Sequence, residues 1–411
     1  MRASIVSPQA SLASSSQIDK GPASAGIPEF ELLCACCRPP VVDAADLANC
    51  LRSPLDWDRV LKLATHHRVL PAVHSAFHGR DDAPASIQSA LDSRFSNHRL
   101  RILRFSAELV TIMRQFEKHG IYALAHKGPV LAQQLYCDPA MREFGDLDFL
   151  VRTTEVPRAR AALQELGYRP RLELTPPQER ENLRTGYEYV FGSAAEPNLI
   201  ELQWQIVPRF YSMPFRMDLL FQRSIEREIE GMRVRTLCNE DLMLVLCVHA
   251  AKHGWSQLGM VRDIATLARF ELDWKWIKSE AGWLGIQRIA AVSLELARTL
   301  LGLELPQALA FRPNVPGVGD IVSDVQQRMI RGEEPAAQSA GYFRQMMNLR
   351  ERWQDRMRLV GRLAFTPSVG EWQAASLPDR LFPIYRAIRV WRLANRGWRS
   401  MTSRFRMTDH E

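Results

Sequence analysis

His126-Lys127-Gly128-Pro129, a helical stretch through Val130, Leu131, Gln134 and Leu135, a polar loop from Cys137, and then Gly145-Asp146-Leu147-Asp148-Phe149-Leu150-Val151 form the passage that decides the fold. Ile121 to His126 reads as a short strand running into a glycine turn. Pro129 suits the first turn of the following helix, because its missing N–H would lack a partner there anyway. Asp146 to Val151 reads as a second strand. Its two aspartates lie on one side, roughly 7 Å apart along the chain, while Leu147 and Phe149 face the opposite way into a core. Helix N-termini favour anions through their free N–H groups and dipole, so phosphate can sit at Gly128. A phosphate-facing turn beside a carboxylate pair is the equipment of nucleotide chemistry.

Working outward, Val156 to Leu166 reads as a helix stopped by Gly167, and Tyr168–Leu174 and Tyr187–Phe191 read as strands. Asn198 to Ile206 is the clearest strand: Ile200, Leu202, Trp204 and Ile206 share one face, and Leu199, Glu201, Gln203 and Gln205 the other. A strand-helix-strand opening followed by antiparallel-looking strands predicts an α+β unit with a small mixed sheet over residues 121–235. Upstream, residues 1–27 have the Ser/Ala/Gly/Pro composition of a disordered arm. Residues 28–120 form an N-terminal helical region: a weakly helical stretch from Glu31 to Cys50, a helix started by Asp56-Trp57, and a long one from about Ser86 to His119 that ends at Gly120. Downstream, 236–305 is a helical domain in which Asn239 caps a helix holding Leu242, Leu246, His249 and His253, with further helices near Val261–Phe270, Trp274–Ala281 and Ile286–Leu301. Pro306 and the Pro/Gly run at 313–318 mark a linker within a C-terminal, arginine-rich helical region, 306–411.

The composition, 46% apolar and 24% charged, is ordinary for a globular chain. No stretch approaches the roughly 18 apolar residues of a membrane span, and the start lacks the apolar run of a secretion signal, so a cytoplasmic location is expected. Seven cysteines, an odd number at scattered spacing, fit reduced thiols, and Cys34, Cys36 and Cys37 read as buried thiols. The net charge of +7 is modest. Much of it sits between Asp379 and Glu411, with eight arginines against three acids.

Asp146 and Asp148 can converge on divalent cations, and Glu201, on the polar face of a neighbouring strand, supplies a third carboxylate. Mg²⁺ is the natural occupant, since it takes hard oxygen ligands and uses a few carboxylates together with phosphate oxygens and water. Three acids beside a phosphate turn describe a two-ion site, with ions about 4 Å apart clamping the attacking and leaving oxygens of phosphoryl or nucleotidyl transfer.

The order Lys127-Gly128, Arg142, Gly145-Asp146-Leu147-Asp148-Phe149-Leu150-Val151 and Glu201-Leu202-Gln203-Trp204 resembles the uncharacterised bacterial nucleotidyltransferase family found beside polysaccharide and modified-peptide biosynthesis genes, within the DNA polymerase β-like nucleotidyltransferase superfamily. The similarity extends to Glu240-Asp241, His249-Ala250-Ala251-Lys252-His253, Asp263-Ile264 and the stretch Arg386–Leu393, so that it spans roughly residues 55–395. It implies a small mixed-sheet, polymerase-β-like domain flanked by helical regions. It also implies a nucleoside triphosphate substrate, with Gly128 as the phosphate turn, Asp146 and Asp148 as shared ligands of two Mg²⁺ ions, and Glu201 as a third acid that helps deprotonate the acceptor. Two positions depart from the pattern. Pro129 stands where the superfamily has serine or glycine, removing a hydroxyl and a backbone donor, and Lys127 is then expected to reach the triphosphate itself. Gln203 stands where many relatives carry histidine.

Arg142, just before the aspartates, either stabilises charge on the transferring group or pairs with Glu143 or Asp138 at the surface. His249 and His253 lie one helical turn apart and face the same way, with Asp263 a candidate third ligand, but no glutamate follows the first histidine, so this is not a zinc-protease motif. They are expected to line the cleft, contacting nucleotide or bonding helices. In the tail, Ile384, Ile388, Trp391 and Trp398 form a stripe with Arg386, Arg389, Arg396 and Arg399 on other faces. The stripe is expected to pack on its own domain and leave the arginines solvated, peripheral contact with an anionic membrane being the alternative.

The expected function is Mg²⁺-dependent transfer of a nucleoside monophosphate, from ATP or another triphosphate, to a hydroxyl or phosphate on a small molecule, glycan or peptide, with release of pyrophosphate. The competing reading is a nucleotide-binding scaffold or sensor of the same fold. RNA as acceptor is disfavoured because no interleaved basic and aromatic platform is present.

Overall fold

The computed structural model describes residues 27–39, 43–192, 199–304, 317–333, 340–367, 371–372, 377, 381–393 and 395. The deciding passage folds as β1 (Ala123–Ala125), the helix Gly128–Tyr136 and β2 (Asp146–Val151). With β3 (Arg169–Pro170), β4 (Glu188–Gly192) and β5 (Leu199–Gln203) they make a sheet of order β1-β2-β5-β4-β3. The β2–β5 pair is parallel and the other pairs are antiparallel, so the sheet is mixed and the protein α+β.

Alternation along these strands sorts their side chains onto two faces. Leu147, Phe149 and Val151 of β2, Ile200 and Leu202 of β5, and Tyr189 and Phe191 of β4 enter one core with Ile112 and Phe116 from the long helix Ala85–Lys118 and Leu163 from the helix Val156–Glu165. Phe149 is fully buried and meets the Phe116 ring edge-on at 5.5 Å; burial of such a ring contributes about 2–3 kcal/mol. On the opposite face, Leu124 and Leu150 join a larger core made with the flanking helices. The remainder of that face is polar.

The helices Trp57–His66 and Ala85–Lys118 stand where the periodicity places them, the first capped by Asp56, whose Oδ1 accepts from Arg59 N at 3.1 Å. Glu31–Cys50 resolves into two helices, Pro28–Cys37 and Ala44–Cys50. Cys34, Cys36 and Cys37 are buried thiols, and burial pushes Cys37 up to about 12. The later helices run Asn239–Lys252, Leu258–Leu267, Trp274–Leu284 and Gln287–Leu301. Asn239 is the first residue of its helix and not its cap, a place taken by Cys238. Its side chain instead accepts from Gln134 Nε2 at 2.8 Å, tying two helices together.

Several other expectations are corrected. The strand around Tyr168–Leu174 shrinks to Arg169–Pro170, since proline has no N–H to continue a ladder. The strand expected over Asn198–Ile206 ends at Gln203, beyond which the chain bends and Ile206 turns to the larger core; Asn198 lies outside the described residues. A hairpin of β6 (Ile225–Ile229) and β7 (Met232–Thr236) was not anticipated. Its turn is Glu230-Gly231, both at positive φ, as a tight two-residue hairpin requires.

The tail is turned inside out relative to expectation. In the helix at 384–393, Tyr385 is buried, Arg389 Nε donates to Leu363 O at 3.1 Å and Arg392 Nη1 to Glu371 Oε1 at 2.9 Å, while Trp391 is 65% exposed and Ile384 is also exposed. A buried acid, Glu371, draws the arginines inward and rotates the apolar stripe out. Trp398, Arg396 and Arg399 lie outside the described residues, as do the arm at 1–26 and the linker at 305–316. Among the described residues no helix is long and apolar enough to cross a membrane.

Candidate active site

The register of the sheet assembles the acids. Asp148 of β2 pairs with Glu201 of β5, and Gln203, two residues on, pairs with Glu188 of β4. Directly paired residues share a face, so Asp146, Asp148, Glu201, Gln203 and Glu188 all project to the side away from the Phe149 core. The Asp148 side chain is completely buried. Its Oδ1 accepts from Lys127 Nζ at 2.6 Å and from Gln203 Nε2 at 2.9 Å, and the same Gln203 nitrogen donates to Glu201 Oε2 at 2.8 Å. Among the described residues no donor reaches the buried Asp148 Oδ2 or the buried Glu188 Oε2.

Lys127, expected on the triphosphate, is thus committed to Asp148. Gly128 sets this up. Its φ of +59° is open to glycine at little cost, and a Cβ there would stand 3.3 Å from Asp146 O and from Leu147 Cδ2. The turn therefore presses against β2 and leaves Lys127, at the N-cap of the following helix, above Asp148.

Crowded acids compete for protons. Burial, and then the Asp148 and Glu188 carboxylates, push Glu201 up to about 9. Burial and Asp148 also raise Asp146, against the pull of Lys127, Arg142 and Arg68. Burial is the largest influence on Asp148 and works to raise it, but the Lys127 ammonium, His126 and the hydrogen bonds from Lys127 and Glu201 together hold this carboxyl below its usual range. Lys127 is the counterpart: burial disfavours its charge, and the surrounding carboxylates more than restore it. The face is short of positive charge. Hard oxygen donors, two of them buried without a donor, suit a divalent cation of the Mg²⁺ type.

A helical wall stands across from the acids. Arg142 Nε lies 2.8 Å from Asp263 Oδ2, and Tyr136 Oη donates to Asp263 Oδ1 at 2.7 Å. Arg142 therefore pairs with neither Glu143, which accepts from Leu70 N, nor Asp138, which accepts from Ala140 N. With both oxygens engaged, Asp263 is not a third ligand beside His249 and His253. The two histidine rings lie 4.7 Å apart. Burial lowers His249 well below its ordinary value, with Lys127 and His253 adding to the effect, and burial and Lys252 bring His253 down to about 4, so both are neutral at pH 7.

A small cleft is lined by Arg68, Arg142, His249, Gln257, Arg262 and Asp263 among others. Two of its residues, Arg68 and Arg142, pull the Asp146 carboxyl downward electrostatically. Three contributors escaped the sequence reading. Glu188 was recoverable, since the Tyr187–Phe191 alternation already puts it opposite Tyr189. Lys252, which donates to Tyr187 Oη at 3.0 Å, and Arg68 reach the site through tertiary packing and carry no local signal. Among the described residues, the set of three His, Cys, Asp or Glu ligand atoms within 4.8 Å of one another is His74, His78 and Asp92, on the N-terminal helices and not on the sheet.

The profile of a protein family described as uncharacterised nucleotidyltransferase matches residues 53–302. No curated protein matches. Solved structures similar to this chain include the solution structure of the antibiotic-resistance factor ANT(2'')-Ia, at 12% identity over 44% of this chain and 91% of that one, with a TM-score of 0.33. An antigenic nucleotidyltransferase-like protein from Paracoccidioides brasiliensis matches at 12% identity over 50% of this chain and 95% of that one, TM-score 0.32. The crystal structure of ANT(2'')-Ia in complex with adenylyl-2''-tobramycin matches at 13% identity over 55% and 98%, TM-score 0.27.

Proposed function

This chain belongs to the family of uncharacterised nucleotidyltransferases, and from that premise we propose that it moves a nucleoside monophosphate from a nucleoside triphosphate to a hydroxyl or phosphate of a small molecule, glycan or peptide, using Mg²⁺ at Asp146, Asp148 and Glu201. The observation that carries this reading is the pairing of Asp148 with Glu201 in adjacent parallel strands, on the face that also bears Asp146. When bound, the ion supplies charge for the phosphate oxygens and orients the α-phosphate.

The protein's own residues carry the rest. The cleft, walled by Arg68, Arg142 and Arg262, receives the triphosphate, and neutral His249 offers hydrogen bonds without adding charge. The acceptor oxygen attacks the α-phosphorus, the bond to the bridging oxygen on the far side breaks, and pyrophosphate leaves with that electron pair. Glu201, once ionised, takes the acceptor's proton. Its tendency to hold a proton up to about pH 9 in the free site is the mark of a strong base for a carboxylate.

Calorimetry with ATP and GTP, with and without Mg²⁺, combined with a pyrophosphate-release assay over a panel of hydroxyl and phosphate acceptors, tests the reading. Mg²⁺-dependent binding and release, both lost in Asp146→Asn, are expected. Binding that ignores Mg²⁺ and survives this substitution would overturn it. A second reading, a scaffold that binds nucleotide without transferring it, draws on Pro129 at the phosphate turn and on Gln203 bridging Asp148 to Glu201. Tight binding with no pyrophosphate from any acceptor selects it.

A further inference from the structure

Three carboxylates in one site invite two divalent ions, but the contacts of Asp148 divide its oxygens unequally. Oδ1 already has two donors, the Lys127 ammonium at 2.6 Å and Gln203 Nε2 at 2.9 Å. Gln203 also holds Glu201 Oε2 at 2.8 Å, so one amide nitrogen spans the gap between Asp148 and Glu201. An ion bridging the two carboxylates through these oxygens would have to displace both donors. Oδ2 is different: it is buried and without a donor among the described residues. Nor do the oxygens of Asp146, Asp148 and Glu201 converge within 4.8 Å as a set of three, although the ligand atoms of His74, His78 and Asp92 do.

Lys127 is not a floating surface lysine that happens to point inward. Its side chain is only 12% exposed and its backbone is fixed by the Gly128 turn, which packs directly on the Asp146 carbonyl. A fixed ammonium against a buried carboxylate supplies one unit of positive charge where a second ion would sit, and cannot dissociate from the chain.

Resting on the transferase reading above, we propose that this site takes one divalent ion and not two, that Asp146 and Asp148 would hold it, and that Lys127, which shares Asp148 Oδ1 with Gln203, is the built-in substitute for the second. With an ion bound, the Lys127–Asp148–Gln203–Glu201 chain of contacts would stay intact. Lys127 is then a positioning residue for both carboxylates. The histidine-to-glutamine departure at position 203 is part of the same arrangement, because a glutamine amide can donate to both acids at once.

Counting ions tests this without reference to turnover. Mn²⁺ and a non-hydrolysable triphosphate are titrated into the full chain, and bound ions are counted by native mass spectrometry and by the Mn²⁺ spin-resonance signal. One Mn²⁺ per bound nucleotide is expected in the wild type and in Lys127→Arg, and two in Lys127→Met, where the Asp148–Glu201 gap has lost its cation. Two ions in the wild type overturn the inference and leave the transferase reading standing. One ion in a folded Lys127→Met also overturns it, because Lys127 is then not what keeps the second ion out. No ion in the wild type removes both the inference and the metal-dependent reading beneath it. If Lys127→Met does not fold, the wild-type count together with Lys127→Arg decides the matter.

Discussion

On the sheet, Asp148 meets Glu201 because two short strands run parallel in one register; on the wall opposite, Arg142 meets Asp263 across 121 residues of chain. The acids are placed by a period of two, and the same alternation that exposes them buries Leu147, Phe149, Ile200 and Leu202 on the other face. The cations are placed by the packing of elements distant in sequence. The difference teaches where chemistry and stability separate. An acid such as Asp146, disfavoured by burial and by Asp148, is kept at the expense of the free fold, as the proposed reaction requires, whereas Arg142 and Asp263 form a buried ion pair.

The largest expected effect breaks the comparison on the acid side. Asp146→Asn should lower the rate of pyrophosphate release by ~10³-fold, the equivalent of about 4 kcal/mol of lost transition-state stabilisation. Because burial and Asp148 disfavour the charge of Asp146 in the ion-free protein, thermal denaturation of the ion-free variant should show a midpoint equal to or above that of the wild type. A variant that loses activity only because it melts would erase the distinction between the two regions. Asp148 is a poorer probe, since its removal strands the buried Lys127 ammonium.

On the wall the balance reverses. Arg142→Met removes one partner of a buried ion pair and leaves Asp263, 6% exposed, with Tyr136 alone, which should cost on the order of 3 kcal/mol in urea unfolding. The KM for the triphosphate should rise with it, because Arg142 also lines the cleft. Unchanged stability would mean that the pair is no latch.

These two substitutions also mark what was legible in advance. Asp146, Asp148, Glu201 and Gln203 stood out because a period of two and a glycine turn are local patterns, and the resemblance to a known family rested on the same residues. The Arg142–Asp263 pair, the reach of Lys252 to Tyr187 and the entry of Arg68 into the cleft had no such pattern. One of the two roles expected for Arg142 was a surface pairing with Glu143 or Asp138, its nearest acids in sequence, and both turned out to be occupied by backbone N–H groups. The tail failed for the same reason: nothing near Arg389 or Arg392 in sequence announces Glu371 as their partner. The β6–β7 hairpin was missed although its Glu-Gly turn and the Met232–Thr236 alternation were in plain view, because each strand is only five residues long.

A pH titration sharpens the comparison from the side of the helical frame. His67 is fully buried; its Nε2 donates to Met329 O at 3.1 Å and its Nδ1 accepts from Leu258 N at 3.3 Å, so the neutral ring joins three helical segments. Burial, reinforced by His66, brings its pKa down to about 4, whereas in the unfolded chain it is about 6.5. Between those values the unfolded state binds the extra proton. The stabilisation is complete well above pH 6.5 and is lost as pH falls toward 4, about 2 kcal/mol of it by pH 5. Urea midpoints at pH 7 and pH 5 measure the loss, and His67→Gln should flatten the slope. An equally steep slope in that variant would assign the acid sensitivity elsewhere, for instance to His98, which burial also brings down to about 4.

The smallest effect lies at the seam between the two regions, in the turn that carries Lys127. Alanine at Gly128 must adopt φ near +59°, at a cost of about 1–2 kcal/mol. Its Cβ must also fit 3.3 Å from Asp146 O and Leu147 Cδ2, atoms of a strand hydrogen-bonded on both sides. The strand cannot yield without moving Asp146, so the helix start must move instead, and Lys127 with it. Gly128→Ala should therefore lower the thermal midpoint by a few degrees, roughly 2–4 °C per kcal/mol for a chain of this class, and raise the KM for the triphosphate several-fold. Gly145→Ala is the matched control: it lies in the same passage, immediately before Asp146, with no heavy atom within 4 Å of its added Cβ and no positive φ. It should change stability by less than about 0.5 kcal/mol and leave KM alone. Equal effects from the two alanines would show that any disturbance of this passage harms the site, and that the close approach of the Gly128 turn to β2 has no special part in holding Lys127 over Asp148.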